Sequence, residues 1–543
     1  MSQNPLLHLE GLCIRSSEKE LIQPLDLHID QQEVVALVGE SGSGKSLTAL
    51  SLMGLLPPQL SWEASALNFG GASLLNLDAK AWQRIRGNRI GMIFQNPQSS
   101  LNPALRCGKQ LLEVLQQHQP QIEGSHEEHL QQTLLDVQLA DTDRILKAYP
   151  HQLSGGQKQR LMIAMALLCQ PKLLIADEPT TALDVTVQQQ ILALLKTLQQ
   201  KYAMSLLFIS HDLNVVKQLA DRIMVLQQGE VVEQGATASL FNSPKHPYTK
   251  GLLNARPPVK GRLKRLFTVQ DFIEQQAEGI FETKEERQKR LQQCYRQSPI
   301  LGVEQLSKTY IKQRFFKKSD SGFQALKPIS FNLFPGEILG IVGESGSGKT
   351  TLARCLIGLE ESSTGHIHYT GEATEIQYVF QDPYAALHPL KRIRSTIIEV
   401  LKQKHPKKTK EEYVRMASDL LNDVGLPGHL HHRWPHQLSG GQRQRAVIAR
   451  ALAMEPKILI CDEAVAALDV SIQAQVLNLL NDLKDQYQLS YLFISHDLHV
   501  VRYMSDRILV LEKGELRELE EADRLYENPQ HPYTQKLISA IPH

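Results

Sequence analysis

Along the chain, short and uniformly apolar runs alternate with longer segments in which apolar residues recur at helical spacing. The runs at 34–38, 173–176 and 206–209 have the length and the Val/Ile/Leu/Phe content of strands buried on both faces, and 338–342, 458–461 and 491–494 repeat them. Such strands, separated by helical segments, predict parallel sheets covered by helices, an α/β architecture. Polar residues follow where each run stops. That is expected at the carboxyl ends of parallel strands, the edge at which open α/β sheets bind ligands.

The repetition is one of whole domains. Ser154 and Ser439 are 285 residues apart, and so are Glu178 and Glu463, His211 and His496, His246 and His531, and Pro257 and Pro542. Spacing this constant means two copies of one domain with no net insertion between those points. Earlier in the domain the copies differ: Lys45 to Gln95 is 50 residues, Lys349 to Gln381 only 32. The first copy therefore carries an 18-residue surplus around 64–86, expected in a surface sheet or loop. The expected organisation is a first domain at 1–257, a charged, Gln-rich connector at 258–298 and a second domain at 299–543. Within the connector, 282–292 has the composition of a solvated helix.

Composition narrows the class without naming it. Hydrophobic residues make up 42% of the 543 and charged residues 22%, as in ordinary globular proteins. With 59 Lys+Arg against 58 Asp+Glu, no field of one sign draws the chain to nucleic acid or anionic lipid. The six cysteines form no C-x-x-C pair and read as reduced thiols of a cytosolic protein. The start Met1-Ser2-Gln3-Asn4-Pro5 lacks the basic-then-apolar pattern of a signal peptide. No stretch reaches the ~18 apolar residues of a membrane span. Any membrane role is expected to come through a partner.

Two glycine-rich stretches carry the first chemistry. Gly39-Glu40-Ser41-Gly42-Ser43-Gly44-Lys45-Ser46 follows the first apolar run, and Gly343-Glu344-Ser345-Gly346-Ser347-Gly348-Lys349-Thr350 follows its counterpart. Both fit G-x-x-x-x-G-K-[ST], in which glycines let successive backbone N–H groups wrap a phosphate at a helix start. Lys45 and Lys349 would reach the β- and γ-phosphates, and the hydroxyls of Ser46 and Thr350 would ligate Mg²⁺.

Further along, the runs at 173–176 and 458–461 end in Asp177-Glu178 and Asp462-Glu463. A hydrophobic strand ending in paired carboxylates beside a phosphate loop is a metal and water site. The first acid supports the hydrated cation; the second orients or deprotonates the attacking water. Leu153-Ser154-Gly155-Gly156-Gln157 and Leu438-Ser439-Gly440-Gly441-Gln442 each open an apolar helix. A serine N-cap followed by glycines presents N–H groups and a hydroxyl, a second kind of anion site.

A phosphate loop, then L-S-G-G-Q, then a strand with D-E, then a histidine resembles the ATP-binding cassette (ABC) family of ATPases, over nearly the whole chain except the connector. The resemblance implies two tandem cassettes, each a P-loop α/β core with an antiparallel β subdomain and a helical subdomain. It also implies ATP hydrolysis, with ATP and Mg²⁺ as cofactors and a head-to-tail cassette dimer formed within one chain. Lys45 and Ser46 would share one ATP with Ser439 and Gly441; Lys349 and Thr350 would share the other with Ser154 and Gly156. Gln95 and Gln381 match the glutamine that senses Mg²⁺ and water and couples to the membrane partner. His211 and His496 match the histidine on the γ-phosphate, and Asp184 and Asp469 the aspartate of the loop that follows. Covalent linkage makes each cassette's partner intramolecular and raises its effective concentration.

Two departures stand out. The family stacks an aromatic on adenine; Tyr310 fits in the second copy, but Ser16 takes that place in the first, so weaker ATP binding is expected there. In the second copy Ala464-Val465 stands where the family has Pro-Thr, yet Glu463 is kept, so both sites are expected to hydrolyse ATP.

Each glutamine is followed by N/D-P-x-x-x-L-N/H-P, at 96–103 and 382–389, and each core by His-Pro-Tyr-Thr, at 246–249 and 531–534. Physically these are proline-stiffened surface turns. As a pair they resemble the dipeptide/oligopeptide/nickel importer subfamily. The tandem form is similar to the ATPases of microcin C-type peptide importers, with glutathione-importer ATPases close behind. Relatives with an iron–sulfur cluster carry a cysteine group after this tail; Cys294 stands alone, so no cluster is expected. The partners implied are two integral membrane permease subunits and a periplasmic peptide-binding protein, with the chain on the cytoplasmic face of the inner membrane. The alternatives are a soluble tandem ABC protein acting on the ribosome, disfavoured by near-neutral charge, and a DNA-repair ATPase, which would want large insertions or zinc-type cysteine pairs.

Overall fold

A computed structural model describes residues 5–95, 100–119, 125–180, 184–258, 261–276, 278–310, 322–466 and 468–539. The chain divides into two compact units, one built on 1–183 and 187–253 and the other largely on 276–543.

In the first unit, six strands form a sheet in which Val34–Val38 lies between Ser205–Ser210 and Arg222–Gln227, with Leu173–Asp177 and Ile90–Ile93 beyond. These five run parallel, and Glu230–Ala236 closes the other edge antiparallel. Every residue of Val34–Val38, Leu173–Asp177 and Ser205–Ser210 is buried, which is why the sequence reads there as continuous apolar runs. An antiparallel sheet around Leu7–Arg15 and Glu20–Ile29 packs with it through one core, where Leu25, Leu27, Val35, Leu37, Ile175 and Leu207 meet.

The second unit repeats this plan. Ile338–Val342 lies between Ser490–Ile494 and Arg507–Glu512, with Ile458–Asp462 and Ile376–Val379 outward and Glu515–Glu521 antiparallel at the far edge. Its antiparallel sheet has three strands, Phe323–Leu333, Leu301–Tyr310 and Thr364–Tyr369.

Ser61–Glu63 and Ala66–Phe69 pair with Leu7–Arg15 as Thr364–Tyr369 pairs with Leu301–Tyr310, and the surplus of the first copy beyond them builds the strand Ala72–Ser73 and the helix Ala79–Ile85. It is more than surface loop, because Leu74 and Trp82 are buried in the unit's core.

The connector also departs from expectation. Thr283 caps the helix Lys284–Tyr295 in a capping box with Glu286, yet Arg287 and Leu291 are buried. Arg287 Nη2 lies 2.6 Å from Glu521 Oε1, and Arg290 Nη1 lies 2.7 Å from Asp506 Oδ1. Leu266 N–H donates to Asn478 Oδ1, and Asn478 Nδ2 donates back to Leu266 O, both at 2.9 Å. A charge-rich segment is thus strapped to the second cassette by ion pairs, not left in solvent.

Candidate active site

Each phosphate loop turns between a buried strand and a helix, Lys45–Leu52 or Lys349–Leu356. Gly42 and Gly44 adopt φ of 81° and 107°, and Gly346 and Gly348 77° and 104°, conformations that side chains disfavour. A Cβ at Gly44 would lie 2.0 Å from Ile22 Cδ1, and one at Gly348 2.8 Å from Ala325 O, so the loop backbone needs glycine on its inner side. Lys45 Nζ donates to Gly39 O and Glu40 O, both at 2.8 Å; Lys349 Nζ donates to Gly343 O at 2.7 Å and Glu344 O at 3.0 Å. Ser41 and Ser345 sit on the exposed rim of the loops. Ser43 Oγ and Ser347 Oγ are buried and make no hydrogen bond in the chain. A loop with an orphan hydroxyl, a buried lysine and a helix start fits an anion of phosphate type.

The carboxylate strands deliver their acids beside these loops. Ser46 Oγ donates to Asp177 Oδ1 at 3.1 Å. Burial holds Asp177 above the ordinary carboxylate range, with the charge of Glu178 adding to it and the Ser46 hydrogen bond and Lys45 charge opposing. Asp462 is raised by burial in the same way, against the hydrogen bonds from Tyr378 and Thr350. A buried carboxylate beside a hydroxyl is a hard-oxygen pair suited to Mg²⁺, whose charge would favour the ionised form. Among the described residues no group of three or more His, Cys, Asp or Glu could cage a metal, so such an ion would need water and phosphate oxygens as well.

Glu178 and Glu463 follow with φ of 47° and 49°, a left-handed backbone that is strained for a glutamate. Their N–H groups donate to Ile209 O at 3.0 Å and Ile494 O at 2.9 Å, which pins the turn to the neighbouring strand. Gln95 Nε2 donates to Glu178 Oε2 at 2.8 Å, and His211 Nδ1 lies 3.2 Å from Glu178 Oε1. Gln381 Nε2 donates to Glu463 Oε2 at 2.5 Å, and His496 Nδ1 lies 3.4 Å from Glu463 Oε1. Glutamine, glutamate and histidine thus converge in each cassette although they are far apart in sequence. Burial pushes Glu463 up, but the hydrogen bond and charge of His496 and the charge of Lys349 outweigh it and hold Glu463 below its ordinary value.

The L-S-G-G-Q segments open the helices Gly155–Leu167 and Gly440–Leu452. The hydroxyl oxygens of Ser154 and Ser439 accept from the N–H of Gln157 and Gln442, while the glutamine side chains accept from the serine N–H groups, two complete capping boxes. The serine oxygen is therefore engaged at the cap, and its proton remains as the outward donor. Gly155 and Gly440 are the first helical residues; a Cβ on Gly441 would lie 2.3 Å from Ile472 Cγ2, so the second glycine also allows close helix packing. Asp184 directly precedes the helix Val185–Lys201, and Asp469 is the N-cap of Val470–Tyr487.

The two cassettes are not identical around the site. Tyr310 ends the strand Leu301–Tyr310, 38% exposed, its hydroxyl donating to Glu360 Oε2. Ser16, at the matching end, closes a small turn in which its Oγ donates to Lys19 O at 3.0 Å. Thr180 is replaced by buried Val465. Tyr378 donates to Asp462 Oδ2, whereas Met92, at the same register on its own strand, has no group to donate.

Sequence reasoning missed one contact. Tyr248 of the first His-Pro-Tyr-Thr tail is 1% exposed, and its hydroxyl accepts from Glu40 N–H at 3.0 Å; Tyr533 accepts from Glu344 N–H at 3.0 Å. The tails are not merely surface turns: they reach the phosphate loops. Of the turns that follow the glutamines, 96–99 lies outside the described residues. In the second, Asp382 caps the short helix Pro383–Ala386 by accepting from Tyr384 N–H.

A phosphate loop, a strand ending in Asp-Glu, and a glutamine and histidine on that glutamate define an ATP-hydrolysing nucleotide-binding cassette, present here twice. Residues 22–181 and 326–466 match the ABC transporter family, and 232–278 and 518–543 match the oligopeptide/dipeptide transporter C-terminal region. The chain belongs to the ABC transporter family, as the ATP-binding subunit of a peptide-type importer. It is 42% identical over 580 residues to the glutathione import ATP-binding protein GsiA of Salmonella choleraesuis (strain SC-B67), covering 100% of this chain and 90% of the relative. It is 43% identical over 568 residues to GsiA of Escherichia coli O6:H1, covering 99% and 89%. Among solved structures, that of an archaeal ribosome recycling factor, aABCE1, in complex with the ribosomal stalk protein aP1, aligns over 90% of this chain and 86% of its own. Its TM-score is 0.57 and its identity 22%, a likeness of fold alone.

Proposed function

We propose that the chain hydrolyses ATP at two sites to power import of a short peptide through separate integral membrane subunits. The observation that carries this reading is full-length similarity to glutathione import ATPases together with a duplicated glutamate site and importer-type tail. The relatives' name favours glutathione, or a peptide of that size, over a microcin C-type cargo.

At each site the phosphate loop and Lys45 or Lys349 bind the triphosphate. Mg²⁺ would be held by Ser46 and Asp177, or by Thr350 and Asp462, with Gln95 or Gln381 at its edge; when bound it neutralises phosphate charge. Glu178 and Glu463 orient the attacking water and take its proton. His211 and His496 hold that glutamate and face the γ-phosphate. Ser154–Gln157 and Ser439–Gln442 offer hydroxyl and N–H donors to the phosphates of a nucleotide. Tyr310 stacks on adenine at the second site.

No helix among the described residues is long and apolar enough to cross a membrane, so the partners must supply the path. In the first cassette a groove of about 550 Å³ beside the Gln95 strand is lined by Met53, Met92, Phe94, Met162 and Met165. Such a surface suits an amphipathic segment of a permease. We place the chain at the cytoplasmic face of the membrane, serving two permeases fed by a peptide-binding protein. Expression with the neighbouring reading frames tests this: co-purification with two integral membrane proteins and peptide-stimulated ATPase in vesicles are expected. Sedimentation with ribosomes and no membrane partner would overturn it.

A further inference from the structure

The phosphate loops are held from behind by the chain's own tails. In the first cassette Glu233 anchors the tail by accepting from Lys245 N–H at 2.8 Å and His246 N–H at 3.1 Å. His246 Nδ1 accepts from Tyr248 N–H at 3.2 Å, which fixes the turn into the helix Pro247–Asn254. Tyr248 is carried inward to the Glu40 amide. The second cassette repeats each step: Glu518 accepts from Gln530 N–H and His531 N–H at 3.0 and 3.1 Å, His531 Nδ1 from Tyr533 N–H at 3.1 Å, and Tyr533 reaches Glu344. Two copies of different surrounding sequence arrive at one geometry.

The amide reached is placed to matter. The peptide groups joining Gly39 to Glu40 and Gly343 to Glu344 have both ends committed: the N–H to tyrosine, the C=O of Gly39 or Gly343 to Lys45 or Lys349. That carbonyl is where the phosphate-binding lysine rests. The tyrosine therefore sets the orientation of the lysine's resting carbonyl without approaching the nucleotide site itself. We propose that Tyr248 and Tyr533 are positioning residues that hold each phosphate loop and its lysine in the shape that receives ATP. The inference rests on the nucleotide-site reading above and deepens it, giving the importer-type tail a task inside its own cassette.

Tyr248→Phe and Tyr533→Phe in the full chain remove the accepting oxygen and keep the ring. With the opposite site silenced by Lys349→Ala or Lys45→Ala, binding of a fluorescent ATP analogue to the altered cassette is expected to weaken about fivefold, the scale of one lost hydrogen bond. Turnover at saturating ATP should change less than affinity. Amide exchange, followed by mass spectrometry, should quicken in the 39–46 segment for Tyr248→Phe only, and in 343–350 for Tyr533→Phe only. Unchanged affinity and exchange in both Phe variants would overturn the proposal, as would loosening of both loops by either one. Affinity that holds while exchange quickens, or the reverse, also overturns it, because one bond must produce both effects. A parent chain that bound no ATP would instead refute the nucleotide-site reading.

Discussion

Gln95 Nε2 donates to Glu178 Oε2 at 2.8 Å, so the glutamate that follows the Asp177 strand is oriented by a residue of its own cassette. His211 approaches the other oxygen at 3.2 Å, and the residue's φ of 47° makes this a built position. Energy stored in a strained glutamate is warranted only if its carboxylate must point one way. Glu178→Gln with Glu463→Gln should keep the shape and the hydrogen-bond acceptor but lose the base. ATP turnover is expected to fall by at least about 100-fold while ATP stays bound, measured as phosphate release against nucleotide retention on a spin column. Near-normal phosphate release would remove these residues from the proton-transfer role.

Adenine should be gripped unequally. Tyr310 presents an exposed ring whose hydroxyl is tied to Glu360, and Ser16 offers none. Tyr310→Ala is expected to weaken ATP at the second site about tenfold, the scale of one lost base–aromatic stack. Ser16→Tyr should tighten the first site. Titration of each site with the other silenced checks both, and equal affinities in all three chains would discard the stacking argument.

Cation binding should differ too. Tyr378 donates to Asp462 and so fixes its second oxygen, whereas Met92, which takes the place of Tyr378 in the first cassette and pairs with Ile175, has no hydroxyl to offer Asp177. Tyr378→Phe is expected to weaken Mn²⁺–ATP at the second site several-fold, about the effect of one hydrogen bond to a charged group. Electron paramagnetic resonance of bound Mn²⁺, in a chain with Glu178 and Glu463 both replaced by glutamine, reads this without turnover. If the Phe variant binds Mn²⁺ as the parent does, the hydroxyl has no part in it.

The connector should be held electrostatically. Arg287→Ala takes the arginine from Glu521 and leaves Asp523 with Arg502 and Arg262, and is expected to destabilise the docked helix by about 2–3 kcal/mol, discounted for the partial exposure of its partners. Burial raises Asp506 and Asp523, but the charges of Arg290 for the first, and of Arg262 and Arg287 for the second, hold both below the ordinary 3.8. Depressed carboxylates contribute stability that is fully present above 3.8 and is lost as pH falls through their lowered values. Cleavage in 284–295, by trypsin at neutral pH and by pepsin in acid, should therefore stay slow from neutrality down to mild acid and rise only in strong acid. In Arg287→Ala it should be fast at pH 7. Equal cleavage of both chains at pH 7 would mean the ion pairs do not hold the strap.

The parts of this molecule that sequence reveals are those whose cause is local. The runs at 173–176 and 458–461 are apolar because both faces of those strands are buried, and the glycines at 42 and 44 stand where the backbone turns left-handed. The helix at 284–295 misled for a physical reason. Its single buried arginine leaves no periodic trace, and the acids that receive it stand more than 200 residues away. The Tyr248 contact was equally hidden, since its partner is a main-chain amide, which carries no side-chain signature. The only hint was that the tail recurs at the same 285-residue interval as Glu178 and Glu463 or His211 and His496. Tyr378 and Met92 both suit a strand, so the pattern of polar and apolar positions could not announce that one of them reaches the carboxylate.

The strap on the second cassette bears on how this polypeptide could be divided. Glu521, Asp523 and Asn478, which receive it, have Ala236, Ala238 and Ala193 at the corresponding places of the first half, so the segment has one owner. A gene cut ahead of Arg262 would give the downstream product its own belt. A cut after 298 would leave that product with an open row of acids, while the upstream product trailed a positively charged thread with nothing of its own to fasten to.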